Sequence, residues 1–215
     1  MFVRDCMSSP AVAITPDTPL PDALNLMHEH RFRRLPVVDE NDKLVGIVSE
    51  RDLLYASPPP ATLLSGLELN HLLAELPTKK IMTRKVLTTT PDTFVEDAAR
   101  LMVENKVGGL PVVDEDKHVV GVITETDVFR AFIELYRAGH AGLYLTLKVE
   151  DRAGLMIELS KAVFGLGSDI VGLSSSYEEA TGDYRLVIKG QEIDKDRVVA
   201  VLESLGYHVI EAYEV

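Results

Sequence analysis

The chain has 215 residues, 46% of them hydrophobic and 26% charged, and a formal net charge of −12. Such a length and composition suit a globular protein with two modest cores, and so acidic a balance argues against a nucleic-acid-binding surface. No apolar run is long enough to span a bilayer, Met1 to Asp5 lacks the apolar core of a signal peptide, and the single cysteine, Cys6, cannot form an internal disulfide. A cytoplasmic protein without a membrane or nucleic-acid partner is expected.

Residues 7–52 lie over residues 82–127 at a constant offset of 75, with roughly 20 identities in 46 positions and no gaps, which marks an internal duplication. Each copy opens with a short strand ending at Thr15 or Thr90, followed by a Pro-Asp-Thr turn. Leu20, Ala23, Leu24 and Met27 fall at helical spacing, as do Val95, Ala98, Ala99 and Met102, and Thr93 with Glu96 predicts a capping box on the second helix. Next come two strands joined by a polar turn, Pro36–Val38 with Leu44–Val48 and their counterparts between Pro111 and Ile123. Pro58 to Pro60 stops the first copy's closing helix. Leu63 to Leu76 predicts a helical connector ended by Pro77. Phe129 to Tyr136 reads as the last helix of the duplicated unit, and Ala138 to Gly142 as a boundary. The expected divisions are 1–60, 61–77, 78–138 and 143–215.

The tail follows another plan. Leu143 to Val149 alternates as a strand does, and Asp151-Arg152-Ala153-Gly154 turns into a helix carrying Leu155, Leu159, Ala162 and Val163. Ile170–Tyr177 and Tyr184–Lys189 read as strands around a turn. Asp194 caps a helix with Val198 and Leu202, Gly206 ends it, and His208–Val215 is the last strand. The order βαββαβ predicts a ferredoxin-like half-open sandwich with both helices on one face.

Chemistry concentrates where the duplicated unit passes from strand to helix. Gly46-Ile47-Val48-Ser49-Glu50-Arg51-Asp52 returns as Gly121-Val122-Ile123-Thr124-Glu125-Thr126-Asp127. A hydroxyl and free backbone N–H groups at a helix start suit a phosphate, and a nearby aspartate suits the two hydroxyls of a ribose. The same residues also read as plain capping boxes, Ser49 with Asp52 and Thr124 with Asp127.

The two Leu-Pro-Val-Val-Asp segments (from Leu35 and Leu110) and the two Gly-to-Asp segments resemble a tandem pair of CBS domains, a Bateman module with pseudo-two-fold symmetry. The tail resembles an ACT domain through its strand order and Asp151-Arg152-Ala153-Gly154-Leu155. The order CBS, CBS, ACT is similar to the acetoin-utilization proteins of AcuB type. The resemblance implies an α/β (α+β) fold and adenosine-ligand binding (AMP, ADP, ATP or S-adenosylmethionine) between the CBS repeats. Asp52 and Asp127 would hold ribose, Ser49 and Thr124 the phosphate side, and Thr15 and Thr90 the base end. Arg33 and Arg34 match a phosphate-binding place, or are a solvated helix end. Their counterparts are Gly108 and Gly109, so two unequal sites are expected. For the tail the resemblance implies an amino-acid ligand near Asp151, Arg152, Ala153 and Gly154, although Asp151 equally suits an N-cap.

The six histidines are scattered, and no metal-ligand cluster, nucleophile elbow, Walker loop or dinucleotide fingerprint is present. No catalytic residue, metal or catalytic cofactor is expected. The leading reading is a homodimeric, non-enzymatic sensor with an adenosine nucleotide as regulatory ligand and an unidentified protein partner. An interaction dimer with vestigial pockets is the alternative, and a nucleotide hydrolase a third.

Overall fold

The structure is a computed structural model that describes residues 1–56, 76–136, 141–150, 152–179, 182–191 and 194–215. Pro58 to Pro60, the connector up to residue 75, and Asp151 lie outside the described residues. The chain divides into two compact units, Met1–Ala131 and Phe132–Val215.

Each repeat supplies a helix, a hairpin and a second helix, the last of these continuing past Ala131, where the first unit ends. These are α1 (Leu20–His30), β1 (Arg34–Val38), β2 (Leu44–Ser49) and α2 (Glu50–Ala56), then α3 (Val95–Asn105), β3 (Gly109–Val113), β4 (Val119–Thr124) and α4 (Glu125–Leu135). The apolar stripes dictate the packing: Leu20, Ala23 and Met27 of α1, and Val95, Ala98 and Met102 of α3, are buried. The repeated Asp of the Leu-Pro-Val-Val-Asp motif closes each hairpin. Asp39 Oδ1 accepts from the backbone N–H groups of Asn41 and Lys43 at 2.9 and 3.0 Å, and Asp114 Oδ1 accepts from those of Asp116 and His118 at 3.0 and 2.8 Å. These bonds hold both carboxyls below the usual carboxylate range.

Two sequence expectations shift. The short strand before each helix reduces to one parallel bridge, Ile14 to Val37 and Thr89 to Val112. The helix after Thr93 starts one residue late, with Phe94 as an N-cap that makes no side-chain bond, so the Thr93–Glu96 capping box does not form. Thr93 Oγ1 instead accepts from Thr90 N–H at 3.3 Å and lies 2.9 Å from Thr90 Oγ1, closing the turn.

The leading segments of the two repeats are exchanged. Val3 is buried in the core of the second repeat and Met7 packs against it, while Met82 is buried in the core of the first, with Leu76 and Ile81 against it. Ser8 and Val122 exchange two backbone hydrogen bonds of 3.0 Å, and Ile47 and Thr83 exchange bonds of 3.0 and 2.9 Å. Each repeat therefore edges the other's hairpin.

The second unit holds β5 (Leu143–Val149), α5 (Leu155–Phe164), β6 (Ile170–Glu178), β7 (Asp183–Gly190), α6 (Lys195–Ser204) and β8 (His208–Glu214). The four strands form one sheet in the order β6-β7-β5-β8, every adjacent pair antiparallel. Leu143, Leu145 and Leu147 of β5 and Leu186 and Ile188 of β7 share a buried cluster with Leu155 and Leu159 of α5 and Val198 and Leu202 of α6. Both helices thus cover one face of the sheet. Asp194 caps α6, its Oδ1 accepting from Arg197 N–H at 2.8 Å.

At the start of α5, Arg152 grips Glu158 with two hydrogen bonds of 2.8 and 2.5 Å, and Tyr207 donates to the same carboxylate at 2.8 Å. The guanidinium, then the phenol, hold the Glu158 carboxyl down at about 2, below its ordinary 4.5. A carboxyl with a depressed folded pKa lends stability above its unfolded pKa, and that stability is lost as pH falls through the folded value. Chemical denaturation at pH 6, 4 and 2 should therefore show a loss toward pH 2 that is smaller in Glu158→Gln. Equal losses in both chains would remove the ion pair as its source.

Candidate functional site

Each strand-to-helix junction forms the same closed hydrogen-bond set. Ser49 Oγ donates to Asp52 Oδ2 at 2.6 Å, Ser49 N–H donates to the same oxygen at 2.9 Å, and Asp52 N–H donates back to Ser49 Oγ at 3.2 Å. Thr124 and Asp127 repeat it at 2.6, 2.9 and 3.4 Å. The reciprocal cap read from the sequence is thus real in both copies. It uses one carboxylate oxygen of each aspartate. The other oxygen of Asp127 lies 3.6 Å from an Arg130 nitrogen. The helix-start amides are less free than the motif suggests, because Glu50 N–H donates to Arg33 O at 2.9 Å and Glu125 N–H to Gly108 O at 3.3 Å.

Two clefts open beside these junctions, and the offset of 75 relates them. The first, of about 310 Å³, is lined by Thr124, Thr126, Asp127 and Arg130, by Ser8 and Pro10 to Val12, and by His30 to Arg34. The second, of about 680 Å³, is lined by Ser49 to Asp52 and Tyr55, by Thr83 and Lys85 to Leu87, and by Lys106 to Gly109. Both volumes suit a nucleotide-sized ligand. Arg33 and Arg34 line the second cleft as well as the first. Seven cations (Arg31, Arg33, Arg34, Arg51, Lys85, Lys106 and Arg130) line one cleft or both in a chain of net charge −12. In each cleft these cations outnumber the carboxylates, Asp127 in the first and Glu50 and Asp52 in the second, a balance that favours an anion.

The broken symmetry at Gly108 and Gly109 has a steric cause. A Cβ on Gly108 would lie 2.8 Å from Arg34 Nη2 and 3.0 Å from Glu125 Oε2, and one on Gly109 would run into Arg34 Nη1 and lie 2.9 Å from the Ile123 carbonyl. The two glycines are the bed on which the Arg34 guanidinium rests. Burial and the adjacent Arg33 push the Arg34 pKa down, and Glu125 opposes them.

Of the residues singled out from sequence, the fold brings Ser49, Asp52, Gly108, Gly109, Arg33 and Arg34 to one cleft, and Thr124, Asp127, Arg33 and Arg34 to the other. Thr15 and Thr90 line neither. Each is exposed and bonded to its own turn, Thr15 N–H donating to Thr18 Oγ1 at 3.1 Å. In the tail Arg152 is engaged by Glu158, while Ala153 and Gly154 are exposed at the helix start. The sequence reading missed the exchanged walls, Ser8 with Pro10 to Val12 and Thr83 with Lys85 to Leu87, and also Tyr55 and Arg130. The last two sit three residues beyond Asp52 and Asp127, one helical turn along the same face, a spacing that was available as a signal. Among the described residues no group of three or more His, Cys, Asp or Glu side chains is placed to hold a metal, and no helix is long and apolar enough to cross a membrane.

The CBS domain family profile matches residues 3–58 and 79–134, two segments that together span more than half of the chain. The chain belongs to the CBS-domain family. Solved CBS-domain structures resemble it over part of its length. The CBS pair of MJ0100 in complex with 5′-methylthioadenosine and S-adenosyl-L-methionine is 30% identical, with a TM-score of 0.52 over 61% of this chain and 95% of that one. CBSX2 of Arabidopsis thaliana in complex with AMP is 36% identical, with a TM-score of 0.51 over 62% of this chain and 96% of that one. An acetoin utilization protein (AcuB) from Vibrio cholerae is 34% identical, with a TM-score of 0.52 over 63% of this chain and 92% of that one.

Proposed function

We propose that this CBS-domain protein is a non-catalytic sensor whose two clefts take adenosine-based ligands, an adenosine nucleotide or S-adenosylmethionine. The observation that carries this reading is the doubled site: each cleft joins a capped aspartate to a cluster of cations in an otherwise acidic chain. The aspartate keeps one oxygen outside its cap for ribose hydroxyls, and the arginines suit a phosphate. The adenosine compounds held by the CBSX2 and MJ0100 structures support the same ligand class. In a thermal-shift screen of ATP, ADP, AMP and S-adenosylmethionine, at least one ligand should raise the apparent stability, because it binds only the folded chain. No shift with any of them would overturn the reading. It would favour instead an interaction protein in which Asp52 and Asp127 are caps and nothing more, a role their closed hydrogen-bond sets also serve.

We assign the tail, residues 143–215, to an ACT domain on the strand order β6-β7-β5-β8 and the helices on one face, with the CBS repeats over 1–60 and 78–138. An acetoin-utilization role rests on the likeness to AcuB. An amino acid at Arg152 to Gly154 would have to bind through backbone N–H groups, since the Arg152 guanidinium is occupied by Glu158. Including single amino acids in the same screen tests this.

A homodimer is the assembly this reading requires. Leu54 and Tyr55 on α2 and Phe129 on α4 are 57%, 76% and 67% exposed, large apolar side chains that association would cover. Light scattering at micromolar concentration should give twice the mass of the chain, 23.7 kDa. A monomer across that range would remove the assignment.

A further inference from the structure

We propose that Arg34 is a specificity-determining residue shared by the two clefts, so that a phosphorylated adenosine ligand in one weakens the binding of a second in the other. This rests on the adenosine reading above and goes beyond it by coupling the sites.

The geometry is one-sided. Arg34 begins on β1 directly opposite Ser49, the hydroxyl residue of the second cleft. Its guanidinium lies against Gly108 and Gly109, and Gly109 is the residue opposite Thr124 of the first cleft. One side chain therefore spans the junctions of both repeats, and both clefts count it among their walls. A second arginine cannot stand at the related position, because any Cβ on Gly109 meets Arg34 and the Ile123 carbonyl.

A guanidinium presents a planar fork that grips one phosphate with two parallel bonds. A phosphate monoester carries close to two negative charges near neutral pH. The first AMP to engage Arg34 uses its fork and leaves a dianion beside the other cleft. A second AMP finds the donors taken and meets like charge. Adenosine has no phosphate and makes no claim on Arg34, so its two binding events are not coupled through it. Coupling free energy of this kind is reciprocal, whichever cleft fills first.

The test is calorimetric titration of the full chain with AMP and, separately, with adenosine, reading the ratio of the two stepwise dissociation constants. Adenosine supplies the baseline for any difference between the clefts in holding the nucleoside, and Asp52→Ala and Asp127→Ala, which disable one cleft each, supply it for the phosphate: a similar gain of AMP over adenosine is expected in both single variants, and a gain confined to one would overturn the sharing. In the unaltered chain the AMP ratio should exceed the adenosine ratio by about ten-fold or more. In Arg34→Ala and in Arg34→Gln it should fall to the adenosine ratio. Added salt should narrow the AMP ratio and leave adenosine unmoved. Two adenosines but one AMP per chain is the extreme of the same coupling and supports it. Equal ratios for the two ligands, or an AMP ratio that survives both substitutions, would overturn the proposal. So would a single adenosine per chain, because the second cleft would then not be a site. If Arg34→Ala fails to fold, Arg34→Gln, which keeps a polar side chain and the inner part of its stem while removing the charge, carries the comparison. Binding of neither ligand would overturn the proposal and, together with no thermal shift from ATP, ADP or S-adenosylmethionine, the adenosine reading itself, whereas two uncoupled events would reject only the sharing.

Discussion

Replacing both Asp52 and Asp127 with alanine is expected to weaken adenosine binding about ten-fold or more at each cleft while leaving a folded but weakened chain. Each carboxylate has one job in the geometry and a second in the proposed function. One oxygen of each takes the hydroxyl and the backbone N–H of Ser49 or Thr124, at 2.6 and 2.9 Å in both copies. Losing that cap costs about 1 kcal/mol per site. If the other oxygen holds a ribose, its loss removes charge-assisted hydrogen bonds of about 1.5 to 3 kcal/mol each, a ten-fold or greater fall in affinity at each cleft. Calorimetry and urea denaturation on the single and double variants separate the two jobs. Asp52→Asn and Asp127→Asn sharpen the separation, because an amide oxygen still accepts from the backbone while the negative charge is gone. The expected pattern is near-normal stability with weakened binding in the Asn variants, and loss of both in the Ala variants. Stability loss with full binding in every variant would reduce the two aspartates to caps.

Gly121→Val should be among the most damaging single changes in the first unit. A Cβ at Gly121 would lie 2.6 Å from Met7 Sδ and 2.9 Å from the Ser8 carbonyl. The methionine end can swing aside, but the carbonyl is held by the paired backbone bonds between Ser8 and Val122. Relief therefore requires the exchanged segment to lift off β4, forfeiting those bonds and the seat of Met7. Overpacking together with the broken bonds should cost about 3 kcal/mol or more, read as a lower urea midpoint. Gly46→Val should cost less. Its nearest neighbour is the side chain of Met82 at 2.5 Å, and the Thr83 carbonyl is farther away, at 3.3 Å. Gly121→Val should also weaken ligand binding, since Ser8 and Pro10 to Val12 wall the first cleft. A midpoint equal to that of the unaltered chain would show that the segment is not anchored there.

Much of the architecture was legible in the order of residues because the interactions that build it are local. The spacing of Leu20, Ala23 and Met27 is a helix stripe whatever it packs on, and all three are buried. The repeated Asp39 and Asp114 close their hairpins by bonding backbone two and four residues ahead. The Ser49–Asp52 and Thr124–Asp127 pairs find each other across three residues. Asp194 and Gly206 bound α6 by cap and left-handed turn, as their types require. The Thr93–Glu96 box failed for an equally local reason, since two hydroxyl positions competed for one turn and the Thr90–Thr93 closure won.

Partners distant in sequence were out of reach of such reasoning. No periodicity in residues 1–12 says that Val3 and Met7 pack with the second repeat, or that Thr83 pairs with Ile47 of the first. That exchange decides which residues wall each cleft. It brings Ser8 with Pro10 to Val12, and Thr83 with Lys85 to Leu87, in and leaves Thr15 and Thr90 out. In the same way the sequence displayed Arg33-Arg34 against Gly108-Gly109 as an asymmetry between repeats, which fits two independent, unequal sites equally well. The folded chain lays Arg34 across the glycines and into both clefts. Short-range hydrogen bonds and apolar spacing are properties of a segment, and residue order suffices for them. The reach of a guanidinium over a missing Cβ is a property of two segments 75 residues apart, and only their packing brings it into being.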